Sequence, residues 1–167
     1  MRKLFAAVAA IAFIAVQAAA ALPVGAKAPD FTAAGAAAGK PVKIHLKAEL
    51  AKGPLVLYFF PKAFTTGCDL EAHAFSQAIG DFKKAGARVI GMSADDVPML
   101  KRFSVKKCGN AFPVASATPS IQKMFDVAQK QSAVTTRTSY VIARDGRIVA
   151  VHDDPDWSQH VATTLAA

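Results

Sequence analysis

The residues able to do covalent chemistry gather in one stretch, Pro61-Lys62-Ala63-Phe64-Thr65-Thr66-Gly67-Cys68-Asp69-Leu70-Glu71. A cysteine attacks only as its thiolate, and an ordinary thiol ionises near about pH 8.5; at a helix N-terminus or beside a cation this drops to roughly 3.5–7.5. Cys68 opens a helical pattern that runs from about Cys68 to Ala85. There, unpaired N–H groups and the positive end of the helix dipole favour the ionised sulfur. Cys68, Ala72, Phe75, Ile79 and Phe82 recur at spacings of 4, 3, 4 and 3, which puts them on one helix face. The sulfur therefore points inward, toward a sheltered cleft. Two readings of Cys68 stand side by side: a reactive nucleophile, or a buried and inert thiol, free cysteine being among the most buried residue types.

The remaining candidates narrow the chemistry. The only other cysteine is Cys108, forty residues on, so one bridge is the most the chain can form and a disulfide scaffold is excluded. A thioredoxin-type C-x-x-C is absent because Glu71 stands in its second position. His45, His73, His152 and His160 are scattered, with no pair at i, i+4 beside a carboxylate, which argues against zinc or haem. Asp153, Asp154 and Asp156 read as an acidic turn starting the last helix, not as a calcium loop. Gly35, Gly39 and Lys40 fail as a phosphate loop, since the spacing is one residue short and Pro41 stands where Ser or Thr should hold magnesium. No cofactor and no metal are expected.

The elements that must position Cys68 follow from pattern. Leu55–Phe60 is a continuous apolar run opened by Gly53-Pro54 and closed by Pro61, as in a strand buried on both faces. The reactive stretch is then the loop leaving that strand at the carboxyl end of a sheet, where open α/β sheets place their sites. Arg88–Ser93 reads as a second strand. A helix capped by Asp95 or Asp96 runs to Cys108 and stops at Gly109-Asn110. On it Cys108 shares a side with Val97, Leu100 and Val105, so a half-buried thiol is expected.

A short strand around Phe112–Ser116 and a helix around Ser120–Phe125 come next. Ser139–Ala143 and Ile148–Val151 flank Asp145-Gly146, a hairpin signal, and a helix from about Trp157 to Leu165 ends the chain. Residues 33–40 read as a flexible turn between short N-terminal strands. The order is βαβαβ, an antiparallel hairpin and a helix: an α/β fold with a mixed sheet.

The 167 residues make about one domain, and 53% of them are hydrophobic, alanine supplying much of that share. Part of the excess is local. Met1-Arg2-Lys3, an apolar run from Leu4 to Val16 and the small patch Ala18–Ala21 have the three-part order of a secretory signal peptide. Cleavage is expected after Ala20, with Ala18 and Ala21 as neighbouring choices. That makes residues 1–20 a signal, residues 21–167 the single mature domain, and the protein periplasmic or secreted, without stable membrane association. The net charge falls from +8 to +6 on removal of Arg2 and Lys3. The other basic residues are spread along the chain without interleaved aromatics, so no nucleic-acid role is expected.

Pro61, Thr65 and Cys68 fill the pattern P-x-x-x-T/S-x-x-C at the start of a helix. With Ala28-Pro29-Asp30-Phe31, Phe112-Pro113 and Arg137-Thr138-Ser139-Tyr140, this chain resembles the peroxiredoxin family (AhpC/TSA superfamily) over roughly residues 22–165. Gly67, Cys68 and Glu71 are most similar to its bacterioferritin-comigratory, or Q-type, branch, though Asp69 replaces that branch's Thr. The resemblance implies a thioredoxin-like fold: a mixed central sheet flanked by helices, with an N-terminal strand extension.

It also implies roles. Cys68 would be the peroxidatic cysteine, Thr65 a hydrogen-bonding partner of the bound peroxide, Pro61 a shield for the sulfur, and Arg137 the cation that holds the thiolate and polarises the O–O bond. Thr66 is expected to serve a turn or cap. Many members of the branch carry a resolving cysteine five residues after the first, where this chain has His73; the resemblance then assigns the resolving role to Cys108. A structural thiol and a permanent disulfide remain the other readings of Cys108. The implied partners are a peroxide and a thioredoxin-like or other thiol reductant, with the chain a monomer or weak homodimer. A one-cysteine peroxidase recycled by an external thiol, and a non-catalytic redox sensor or holdase, are the alternatives.

Overall fold

The computed structural model describes residues 21–167; the signal peptide expected over residues 1–20 lies outside them. Seven strands form one sheet: β1 (Thr32–Ala37), β2 (Lys40–His45), β3 (Leu55–Phe59), β4 (Arg88–Ser93), β5 (Val114–Ser116), β6 (Thr138–Ile142) and β7 (Ile148–Asp153). Their order is β2-β1-β5-β4-β3-β6-β7. The β3–β4 and β4–β5 pairs are parallel, whereas β6 joins β3 antiparallel and β7 joins β6 antiparallel. The sheet is therefore mixed, as the order of elements predicts.

β3 explains why the sheet needs cover on both sides. All five of its residues are buried. Leu55, Leu57 and Phe59 face one cluster, Val56 and Tyr58 the other, because successive side chains leave a strand on opposite faces. On the first side lie the short helices α1 (Leu46–Leu50) and α4 (Pro119–Met124). On the second lie α2 (Thr66–Lys84) and α3 (Val97–Lys106) with the C-terminal α5 (His160–Leu165). Among the described residues no helix is long and apolar enough to cross a membrane.

Four details differ from expectation. Residues 33–37 belong to β1, and only Ala38 and Gly39 turn; both have positive φ (47° and 76°), the geometry of the two-residue turns that match strand twist. α1 has no sequence signature, because five residues are too short to display a period. The last helix splits into a 3₁₀ turn at Trp157–Gln159, capped by the Asp156 side chain, and α5. Finally α3 ends at Lys106, so Cys108 lies in the turn beyond it, where Gly109 and Asn110 are both left-handed. Cys108 is fully buried rather than half-buried, and Val105 points outward.

Candidate active site

The loop from Pro61 to Thr65 carries the chain from β3 into α2, and three ties shape it. Thr135 donates its hydroxyl to the Phe60 carbonyl at 2.7 Å. The Ala63 amide donates to the Asp95 carboxylate at 2.7 Å, and Ser93 donates to the same oxygen at 2.8 Å. Asp95 thus holds the loop, while Asp96 caps α3 by accepting from the Met99 amide at 2.8 Å. Phe64 sits in the left-handed region at φ 62°, with its ring edge-on to Phe103. That backbone costs a non-glycine residue roughly 1–2 kcal/mol.

Thr65 occupies the N-cap position of α2, although its side chain makes no cap bond; its hydroxyl donates to the Lys62 carbonyl at 2.9 Å. The cap place thus belongs to Thr65, and Thr66, expected in a turn or cap, is the first helical residue. Pro61 is half-buried at the end of β3. Cys68 follows in the first turn and is 1% exposed. The apolar helix face is as expected for Cys68, Ala72, Phe75 and Phe82, but Glu71 shares it and is fully buried.

Arg137, just before β6, connects these groups. Its Nη2 donates to Cys68 Sγ at 3.6 Å, its Nη1 to Glu71 Oε2, and its Nε to the Pro155 carbonyl at 3.0 Å. The side chain is 8% exposed. A planar guanidinium cannot be neutralised at ordinary pH, and three fixed contacts hold its fork in place. Gly67 makes room for it: a Cβ there would lie 3.2 Å from Arg137 Nη2 and 3.7 Å from the Trp157 ring. A positively charged donor fixed against a sulfur at a helix N-terminus stands where it can stabilise negative charge developing on an attacked oxygen.

Behind Arg137 lies a polar layer that sequence reasoning missed. His160 Nε2 lies 2.9 Å from the Asp154 carbonyl, and its Nδ1 lies 2.8 Å from Ser139 Oγ and 3.7 Å from Glu71 Oε1. Burial pushes Glu71 up to about 8, against the pull of Arg137; burial also pushes His160 down to about 4. A charged residue inside an apolar helix stripe was the available signal for Glu71. His160 had none, since a histidine in a terminal helix is uninformative alone.

These shifts set a pH dependence. Between about 4.5 and 6.5 the two effects cancel, because unfolded histidine gains the proton that unfolded glutamate has lost. From 6.5 to about 8 only folded Glu71 still holds its proton, so the native state binds more protons than the unfolded one and stability falls as pH rises. Urea unfolding should show a loss of about 2 kcal/mol across that window, and Glu71→Gln should flatten it.

The two cysteines are both free and buried, so the permanent-disulfide reading of Cys108 does not describe this state. Burial, with the charge of Asp69, pushes the Cys108 thiol far above its ordinary value. Lys107 ties the end of α3 to α2 through Asp69 at 2.7 Å and stands 5.9 Å over the Phe64 ring. Among the described residues no cluster of three metal-ligating side chains occurs.

Residues 24–151 match the AhpC/TSA family. Peroxiredoxin Bcp of Xanthomonas campestris is 32% identical over 120 residues, covering 68% of this chain and 74% of that protein. Peroxiredoxin Bcp of Escherichia coli K12 is 32% identical over 112 residues, covering 64% and 72%. Among solved structures, peroxidoxin BcpB of Mycobacterium tuberculosis aligns with a TM-score of 0.77 at 26% identity, over 86% of this chain and 94% of that one. Peroxiredoxin Q of Xanthomonas campestris aligns at 0.71 with 30% identity, over 80% and 87%. With a buried cysteine at the head of a helix, an arginine fixed against it and this agreement across most of its length, the chain belongs to the AhpC/TSA family, on its bacterioferritin-comigratory, or Q-type, peroxiredoxin branch.

Proposed function

We propose that this thiol-dependent peroxidase reduces hydrogen peroxide and small organic hydroperoxides at Cys68, with Cys108 as the resolving cysteine. The observation that carries the reading is the 3.6 Å approach of Arg137 Nη2 to Cys68 Sγ at the N-terminus of α2. The Cys68 thiolate attacks the distal peroxide oxygen. An S–O bond forms, the O–O bond breaks, and the departing alkoxide or hydroxide takes a proton from solvent to leave as alcohol or water. Cys68 is then a sulfenic acid. Thr65 orients the peroxide, its hydroxyl lone pairs being open while its hydrogen is given to Lys62. Pro61 closes the sulfur side of the loop.

Resolution follows when Cys108 attacks the sulfenic sulfur, expelling water and forming a disulfide. A disulfide needs the two Cα atoms within roughly 7 Å and an accessible attacking thiolate. Cys108 is fully buried, so the turn after α3 and the start of α2 must loosen first. A dithiol reductant of the thioredoxin type then reduces the disulfide. The burial of Cys108 also favours a second reading, in which it stays packed and an external thiol reduces Cys68 directly. The apolar start of the chain supports export, with the mature domain working outside the cytoplasm as a monomer or weak homodimer.

One experiment separates the two readings. Mass spectrometry after one equivalent of peroxide should find a Cys68–Cys108 disulfide in the parent. Cys108→Ser should complete one turnover, accumulate sulfenic acid and lose thioredoxin-driven recycling. Steady turnover unchanged in Cys108→Ser would assign Cys108 to packing alone.

A further inference from the structure

One oxygen of the polar layer behind Arg137, the buried Oε1 of Glu71, lacks a hydrogen-bond partner among the described residues. A carbonyl oxygen only accepts, so His160 Nε2 must carry the hydrogen it gives to Asp154. In neutral His160 the other nitrogen, Nδ1, is then a lone pair, and it accepts from Ser139. Nδ1 also lies 3.7 Å from Glu71 Oε1, with both side chains fully buried. Two buried acceptors this close repel unless one proton lies between them. The proton can sit on Glu71 and point at Nδ1, or on Nδ1 and point at Oε1, with Ser139 turning its hydroxyl to suit.

We propose that Glu71 and His160 share a single proton, and that this buried pair is a positioning device which sets the net charge presented to Cys68 through Arg137. With the proton in place, the group of Arg137, Glu71 and His160 carries one positive charge. Without it the group is neutral, and the thiolate and the oxygen it attacks lose that support. Other titratable groups face the pair from each packed element. Cys68 lies on α2, Tyr58 with its unpartnered phenol on β3, and His152, whose ring stands 4.5 Å from that of His160, on β7. Asp154 and Asp156 lie on the loop before α5, and Asp154 offers its backbone carbonyl to His160. The direction in which burial moves both members agrees with one retained proton at neutral pH.

This inference rests on the peroxidase reading, and its test has an arm that needs no peroxide. The first arm is stopped-flow oxidation of reduced protein by hydrogen peroxide between pH 6 and 9.5, followed through the single tryptophan, Trp157, which lies beside Gly67. The rate constant should be level at neutral pH and fall roughly tenfold along a limb centred near 8, as one charge near the reaction is lost. His160→Asn, whose amide can donate to Glu71 Oε1 without titrating, should react slowly at all these pH values and show no limb. Glu71→Gln, which cannot titrate, should also lose the limb.

The second arm is imidazole nitrogen NMR of the reduced protein alone. The His160 signals, assigned by their loss in His160→Asn, should titrate at the same pH and cease to do so in Glu71→Gln. A limb that survives in His160→Asn, a parent that reacts with peroxide but shows no limb, or His160 signals constant from pH 7 to 9 would each overturn the proposal. If His160→Asn does not fold by circular dichroism, Glu71→Gln carries the kinetic arm and removes the His160 titration in the NMR arm. Loss of all peroxide reactivity with the NMR titration intact would instead count against Cys68 as the peroxidatic group and leave the shared proton standing.

Discussion

Cys68→Ser should reduce peroxide consumption to the uncatalysed background. The expectation follows from ionisation, not from shape. Serine places an oxygen where the sulfur was, and Arg137 Nη2, 3.6 Å from Sγ in the parent, can still donate to it. A serine hydroxyl stays protonated here, because among the described residues no general base lies in position to take its hydrogen. Glu71 faces Arg137, and His160 is occupied by Ser139 and Asp154. The attack on oxygen therefore has no nucleophile. The fold should pay little, about 1 kcal/mol for a buried hydroxyl with a donor nearby. Stopped-flow fluorescence and urea unfolding of the same preparation check both halves. Peroxide consumption at the parent rate would remove Cys68 from the mechanism.

Arg137→Met should do two different things at once. Removing a fixed charged donor from the place where negative charge develops costs about 10²–10³ in rate. Its loss also leaves the Glu71 carboxylate fully buried without its counter-charge. Breaking one side of a buried pair costs about 3–5 kcal/mol. Glu71 can escape part of that cost by taking a proton. The destabilisation should accordingly be larger at pH 9 than at pH 6, whereas a simple packing defect would cost the same at both. Arg137→Lys keeps the charge but not the fork, so it can serve Cys68 or Glu71 and not both; an intermediate rate is expected. Urea unfolding at the two pH values, beside peroxide kinetics, separates the electrostatic from the catalytic loss.

What the sequence made legible was the frame and the place of Cys68, buried in the first turn of α2. The six apolar residues of Leu55–Phe60 declared a strand covered on both faces, and the spacing behind Cys68 declared a helix with its sulfur inward. Those patterns are local, and burial enforces them. The supporting layer was not legible, because it is made by tertiary contact. Arg137 beside Cys68 was expected only through the family resemblance, and its hold on Glu71, like the meeting of Glu71 with His160 from the other end of the chain, left no local pattern. The misjudged depth of Cys108 has a related cause. Its helix ends at Lys106, and the left-handed pair Gly109 and Asn110 turns the chain, so helical spacing no longer says which way the thiol points. Asp95 and Asp96 show the same limit: adjacent carboxylates looked interchangeable as caps, yet one ties the reactive loop and the other caps α3.

The ion pair of Lys107 with Asp69 bears on how much oxidant the enzyme survives. Under the two-cysteine course proposed above, a sulfenic acid at Cys68 has two fates. Cys108 can trap it, or a second peroxide can carry it to sulfinic acid, from which ordinary thiols do not return it. The first fate has a fixed frequency, set by how often the end of α3 lets go of α2. The second grows in proportion to peroxide concentration. Their crossing defines a dose above which each further turnover destroys catalyst. Lys107 and Asp69 are 34% and 22% exposed, so dissolved salt reaches their attraction and weakens it. The dose tolerated before inactivation should then rise with ionic strength, making a single half-exposed charge pair the dial of the protein's working lifetime.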